Sequence, residues 1–121
     1  MRFMMLYKPG TESDAPPTPE HIAEMGQFIQ EMASKGALLA TDGLQPSSKG
    51  MRVRISDGNF TVTDGPFTET KELIAGFAIV NAKSRDEALY WAKRFLSLVG
   101  EGESEIRLMH DAPAFDLAAS A

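Results

Sequence analysis

The chain has no cysteine among its 121 residues, which excludes disulfide scaffolds, thiol catalysis and thiolate metal sites. It also lacks an excess of positive charge: 12 basic against 17 acidic residues leave a net charge of −5. With no Lys/Arg cluster to form a basic face, nucleic acid and anionic membrane surfaces are poor partners. Long apolar runs are missing, and no stretch approaches the ~20 residues that span a bilayer. The segment Met1-Arg2-Phe3-Met4-Met5-Leu6-Tyr7-Lys8 has too short an apolar run for a secretory leader and meets Pro9-Gly10 without a small-residue cleavage site. The expectation is a cytoplasmic protein. Motifs of the common chemistries are absent too, including the G-x-S-x-G elbow, the phosphate loop, H-E-x-x-H and the dinucleotide glycine fingerprint. No cofactor and no metal site are expected.

What is present fits one soluble domain over residues 1–110 with a tail at 111–121. Hydrophobic residues make up 43% and charged residues 24%, an ordinary balance for a globular chain. Residues 2–8 alternate with apolar side chains on both faces: Phe3, Met5 and Tyr7 on one, Met4 and Leu6 on the other. A Pro-, Gly- and Ser-rich loop follows. Thr18 then caps a helix opening at Pro19, with Ile22, Met25, Ile29 and Met32 as its apolar stripe, Phe28 and Ala33 beside it, and Gly36 as its stop. A short strand over residues 37–41 ends at Asp42-Gly43. Residues 52–55 and 60–63 alternate around Ser56-Asp57-Gly58-Asn59, a β-hairpin signature. Residues 76–81 form another strand apolar on both faces. Ser84-Arg85-Asp86-Glu87 is a capping box for a helix whose face carries Ala88, Ala92, Phe95 and Val99, and Gly100 stops it. A last strand over residues 105–109 points Ile106 and Leu108 inward. Phe115 and Leu117 are the tail's only large apolar residues.

The order β-α-β, hairpin, β-α-β predicts an α+β ferredoxin-like split β-α-β fold with an inserted β-hairpin, both helices lying on one face of the sheet. Two helices cover one face, yet the strands at 3–7 and 77–80 are apolar on the other as well. A second copy of the sheet is the simplest cover, so a homodimer with sheets packed face to face is expected; the plainer alternative is that the hairpin or tail folds over that face.

Topology also gathers Lys8, His21, Asp42 and the polar segment 64–72 at one sheet end, with His110 at the other. Three residues become catalytic candidates there. His21 is placed to move a proton, with Asp42 or Asp64 to fix its tautomer. Phe67, Glu69 and Lys71 are candidates for substrate binding, Lys71 as a point charge for an anionic group. Each has a plainer reading: a first-turn surface histidine, turn-forming aspartates and a solvated charge cluster. Arg52 and Arg54 read as one solvated face of the hairpin, and Tyr90 and Trp91 as packing.

Thr63-Asp64-Gly65-Pro66-Phe67, followed by Thr70-Lys71-Glu72 and Gly76-Phe77, resembles the DGPF branch of the YCII-related proteins. The likeness covers nearly all of residues 1–110. It implies a ferredoxin-like fold pairing as a dimeric α/β barrel. In the wider family a His on the first helix with a nearby Asp is a proposed catalytic pair; that position falls near Met25 here, one helical turn beyond His21. The branch is also associated with extracytoplasmic-function sigma factors. The resemblance thus leaves two classes open: a small acid–base enzyme with a small organic substrate, or a non-catalytic binding module in sigma-factor or stress regulation. An oxygenase is a third reading, by fold analogy alone.

Overall fold

A computed structural model describes residues 1–13, 15–69 and 72–111. Lys71, Phe115 and Leu117 lie outside the described residues. The elements run β1 (Arg2–Lys8), α1 (Pro19–Ser34), β2 (Leu38–Gly43), a 3-10 turn (Ser47–Lys49), β3 (Met51–Ser56), β4 (Asn59–Asp64), β5 (Gly76–Asn81), α2 (Arg85–Val99) and β6 (Glu103–Leu108). Four strands form an antiparallel sheet in the order β2-β5-β1-β6, the ferredoxin-like arrangement, while β3 and β4 form a separate two-stranded hairpin.

Local chemistry sets the helix limits. The Thr18 hydroxyl accepts from the His21 backbone N–H, and Pro19 takes the first helical position, where its missing N–H costs nothing. At α2 the Ser84 hydroxyl accepts from the Glu87 N–H, and the Glu87 carboxylate reaches back to the Lys83 N–H. Gly100, with φ 85°, closes that helix in a left-handed conformation open to glycine.

The core lies between the helices and one sheet face. Phe3, Met5 and Val80 meet Phe28 and Met32 of α1 and Ala88, Trp91 and Ala92 of α2. The buried seam of α1 is Met25-Phe28-Met32 rather than the expected stripe, because Ile22 remains 57% exposed. On α2 the large anchor is Trp91, packed against Phe28 at 6.0 Å between ring centroids. Arg94 of α2 reaches across to Glu31 of α1 with both terminal nitrogens, and its guanidinium lies over Phe28, Tyr90 and Trp91. Leu108 shares the core face with Phe3, its register partner, but at the end of edge strand β6 it stays 63% exposed. β2 also extends further than its apolar run, since Asp42 and Gly43 pair with Phe77 and Gly76.

The pairing register defines the opposite sheet face. Met4 lies beside Ile79 and Leu6 beside Phe77, all four half-buried. Glu105 is next to Leu6 and Arg107 next to Met4, and Glu105 pairs with Lys8 at 2.8 Å and with Arg107 at 3.2 Å. The face therefore has an apolar centre and an ion-paired edge, and no helix of the described residues covers it.

Candidate functional site

At one end of the sheet β1 and β2 finish and β5 begins, as the pairs Tyr7–Gly76 and Gly43–Gly76 show. His110 is at the other end, where its carbonyl accepts from the Arg2 guanidinium. Backbone bonds tie the loops of the first end together: Ala75 N–H to Tyr7, Leu44 N–H to Ala75, and Gly65 N–H to Gly50. They enclose a cavity of about 390 Å³ lined by Glu12, Leu44, Ser47, Lys49, Arg52 and Phe67, among others, with a second of about 210 Å³ beside it. The larger volume lies in the range of small-molecule sites.

The turn Asp64-Gly65-Pro66-Phe67 forms one wall through backbone contacts that tolerate little change. Gly65 and Pro66 are joined by a cis peptide bond. A Cβ on Gly65 would overlap the Ser47 carbonyl, so only glycine lets the two segments approach this closely. The Ser47 hydroxyl accepts from the Phe67 N–H at 3.0 Å and donates to Glu12 at 2.7 Å. The other Glu12 oxygen accepts from the Ser47 N–H at 2.6 Å. Glu12, from the loop after β1, thus clamps the 3-10 turn, which in turn clamps Phe67. These bonds use the Ser47 hydroxyl as a structural link.

Arg52 supplies the charge. Its guanidinium carbon sits 3.8 Å from the centroid of the Phe67 ring, and one terminal nitrogen pairs with Glu69 at 3.1 Å. Stacking on an aromatic face and a carboxylate partner hold the planar cation in place while leaving other N–H donors available. The Glu69 carboxyl is held below its ordinary range, first by its own backbone N–H and then by Arg52. Lys49 adds a second cation, and Leu44, Pro46, Leu73 and Ile74 make the rest of the wall mostly apolar. The arrangement suits a small ligand with an anionic group and an apolar body.

Of the residues expected from sequence, Phe67 lines this cavity and Glu69 binds Arg52 beside it. No hydrogen bond among the described residues joins the three acid–base candidates to one another. The Asp42 carboxylate accepts from the N–H of its neighbour Gly43 at 2.9 Å. Asp64 ends β4 opposite Met51. His21 is half-buried in the first turn of α1, and among the described residues no hydrogen bond links its imidazole to Asp42 or Asp64. None of the three lines either cavity. No group of three or more His, Cys, Asp or Glu residues suited to a metal occurs among the described residues. Glu12, Ser47 and Arg52 escaped the sequence reading. Glu12 stands in a loop without periodicity, and Arg52 sits in a strand pattern that reads equally well as a solvated edge.

The profile of the YCII-related domain matches residues 1–109. A protein of Rhizobium meliloti (strain 1021), known only as uncharacterized, is 44% identical over 70 residues, 58% of this chain and 56% of its own length. The aligned stretch thus spans little more than half of that relative. Among solved structures, a 5-chloro-2-hydroxyhydroquinone dehydrochlorinase from Burkholderia phenoliruptrix AC1100, in complex with 2,5-dihydroxybenzoquinone, superimposes with a TM-score of 0.48 at 15% identity. That match covers 93% of this chain and 96% of the other.

Proposed function

Because the chain belongs to the YCII-related domain family, we propose that it is a small-molecule-binding protein whose ligand is a small organic anion held in the cleft beside the Asp64–Phe67 turn. The segment from Thr63 to Gly76 supports a place in the DGPF branch of that family. The observation that carries the reading is Arg52 stacked on Phe67 inside a cavity of about 390 Å³. A preorganised guanidinium loses little freedom on binding a carboxylate or phosphoryl group, and each charge-assisted bond contributes about 1.5–3 kcal/mol. Acid–base chemistry by His21, Asp42 and Asp64 ranks below binding, since the three are not joined and lie outside the cavity lining. The apolar centre of the open sheet face supports a homodimer with sheets face to face.

A thermal-shift screen of small carboxylates and phosphoesters, followed by calorimetry, tests the cleft. Hits are expected to lose at least tenfold in affinity in Arg52→Gln and in Phe67→Ala, and to keep their affinity in His21→Ala. A ligand that binds Arg52→Gln as tightly as the unaltered chain, or that needs His21, would sink this reading.

A further inference from the structure

The two cavities at the sheet end share a wall: Glu12, Leu44, Gln45, Pro46, Leu73 and Ile74 line both. At about 210 Å³ the smaller one falls below the roughly 300 Å³ at which small-molecule sites begin, so it reads as a compartment of its neighbour. The shared wall is mostly apolar, and two of its large side chains stay uncovered, Leu44 at 53% and Ile74 at 36% exposure. The two ends differ in charge. Lys49 and Arg52 line the larger cavity, whereas no Lys, Arg or His lines the smaller, whose ionisable residues are Glu12 and Glu101. Ser47 takes up both oxygens of Glu12. The Glu101 carboxylate has no ion pair or side-chain hydrogen bond among the described residues, while its backbone carbonyl accepts from the Tyr7 hydroxyl at 3.0 Å and so ties down its loop. Glu72 also lines the larger cavity, with the Lys8 ammonium near enough to feel its charge.

Resting on the reading of the cleft as an anion site, we infer that the two cavities form one groove for an elongated zwitterion, in its simplest form an ω-amino carboxylate. The carboxylate sits at Arg52 and Lys49, the methylene chain lies along Leu44, Leu73 and Ile74, and the ammonium reaches Glu101. Covering the chain with the shared wall favours length, by up to about fourfold in affinity per methylene. Opposite charges at the two ends set the direction in which the ligand lies. A second carboxylate at the far end would meet Glu101 and Glu12 with no cation beside them, which selects against dicarboxylates. Glu101 is exposed, so its attraction for an ammonium is worth about two- to fivefold and governs preference more than strength.

NMR titration of the full chain, read at assigned backbone amides, tests the groove even with ligands of modest affinity. The probes are butanoate, hexanoate and octanoate, their ω-amino and ω-hydroxy derivatives, and the matching dicarboxylates. Affinity should rise about two- to fourfold per methylene. Each long ω-amino ligand should bind about two- to fivefold tighter than the ω-hydroxy ligand of equal length, a comparison that needs no variant. Short ligands should shift the amides of residues 49–52 and 67, and long ω-amino ligands those of residues 11–13, 75 and 101 as well. Glu101→Gln should abolish the amino preference and leave the plain carboxylates unchanged, whereas Arg52→Gln should weaken every ligand by about tenfold. Arg52-dependent binding without a length dependence, shifts confined to the first set of amides, or an amino preference that survives Glu101→Gln would overturn the groove and leave the anion site standing. So would an amino preference lost in Glu72→Gln, which would place the ammonium in the larger cavity. Binding of no carboxylate, or binding indifferent to Arg52→Gln, would remove the anion site itself and the groove with it.

Discussion

The four-stranded sheet and the hairpin are built from similar alternating sequences, yet they end in opposite environments. In β1 the alternation puts Phe3 and Met5 at 7% exposure under two helices, whereas in β3 the same rhythm leaves Val53 and Ile55 above 60%. Both elements are regular, and the hairpin turn is well formed: Asp57 and Gly58 take φ of 51° and 79°, as the Asp-Gly signal requires. Alternation therefore specifies strand geometry and which residues share a face. It does not specify what lies opposite that face. For β1 and β5 the helices of the same chain provide the cover on one side. For β3 and β4 no described element does.

The largest test of this contrast is Trp91→Ala. Trp91 is 4% exposed at the junction of both helices with the sheet, so its loss should cost about 3–5 kcal/mol in urea unfolding. The matching truncation on the hairpin, Phe60→Ala, should cost less than about 0.5 kcal/mol at concentrations where the chain is a single protomer. Equal costs would show that the hairpin is packed within its own subunit.

Gly65→Ala tests how the hairpin is joined to the body. The added methyl meets the Ser47 carbonyl, so a loss of about 1–3 kcal/mol is expected from overpacking. Amide exchange should quicken around residues 47–50 and 65–67 and not in the helices.

A smaller effect separates the helices and sheet from the hairpin by pH. Hydrogen bonding to Arg94 holds the Glu31 carboxyl below its ordinary range, and Lys8 does the same for Glu105. A depressed carboxylate pKa means that the unfolded chain binds protons first as pH falls. The stabilisation is thus complete above the ordinary glutamate range and is lost as pH drops through the folded value. Melting temperature should fall on acidification below about pH 4.5, the ordinary glutamate value, and Glu31→Gln should flatten that slope. An unchanged slope in the variant would show that Glu31 carries none of the linkage.

Much of the fold was legible because its signals are local. Caps at Thr18 and Ser84, stops at Gly36 and Gly100, and the Asp57-Gly58 turn each act within a few residues, so spacing reveals them. Helix faces were read less well. Ile22 fits a helical stripe with Met25 and Met32, but the crossing of α1 over the sheet selects Met25, Phe28 and Met32. The site divides in the same way. Phe67 was legible through its rigid turn, while Glu12 became part of the site only through a bond to Ser47, 35 positions away. Arg52 and Phe67 likewise meet only in the folded chain.

The sequence by itself determined the element order, the ferredoxin-like topology and the sheet end where the polar loops collect. These follow from backbone conformation, capping and chain connectivity, which act over short distances. Tertiary structure alone decided that Asp42 would bond its own neighbour, that no hydrogen bond among the described residues would join the His21 imidazole to either aspartate, and that Arg52 would stack on Phe67. Side-chain partnerships depend on distances between elements set by packing. A linear pattern carries no measure of those distances.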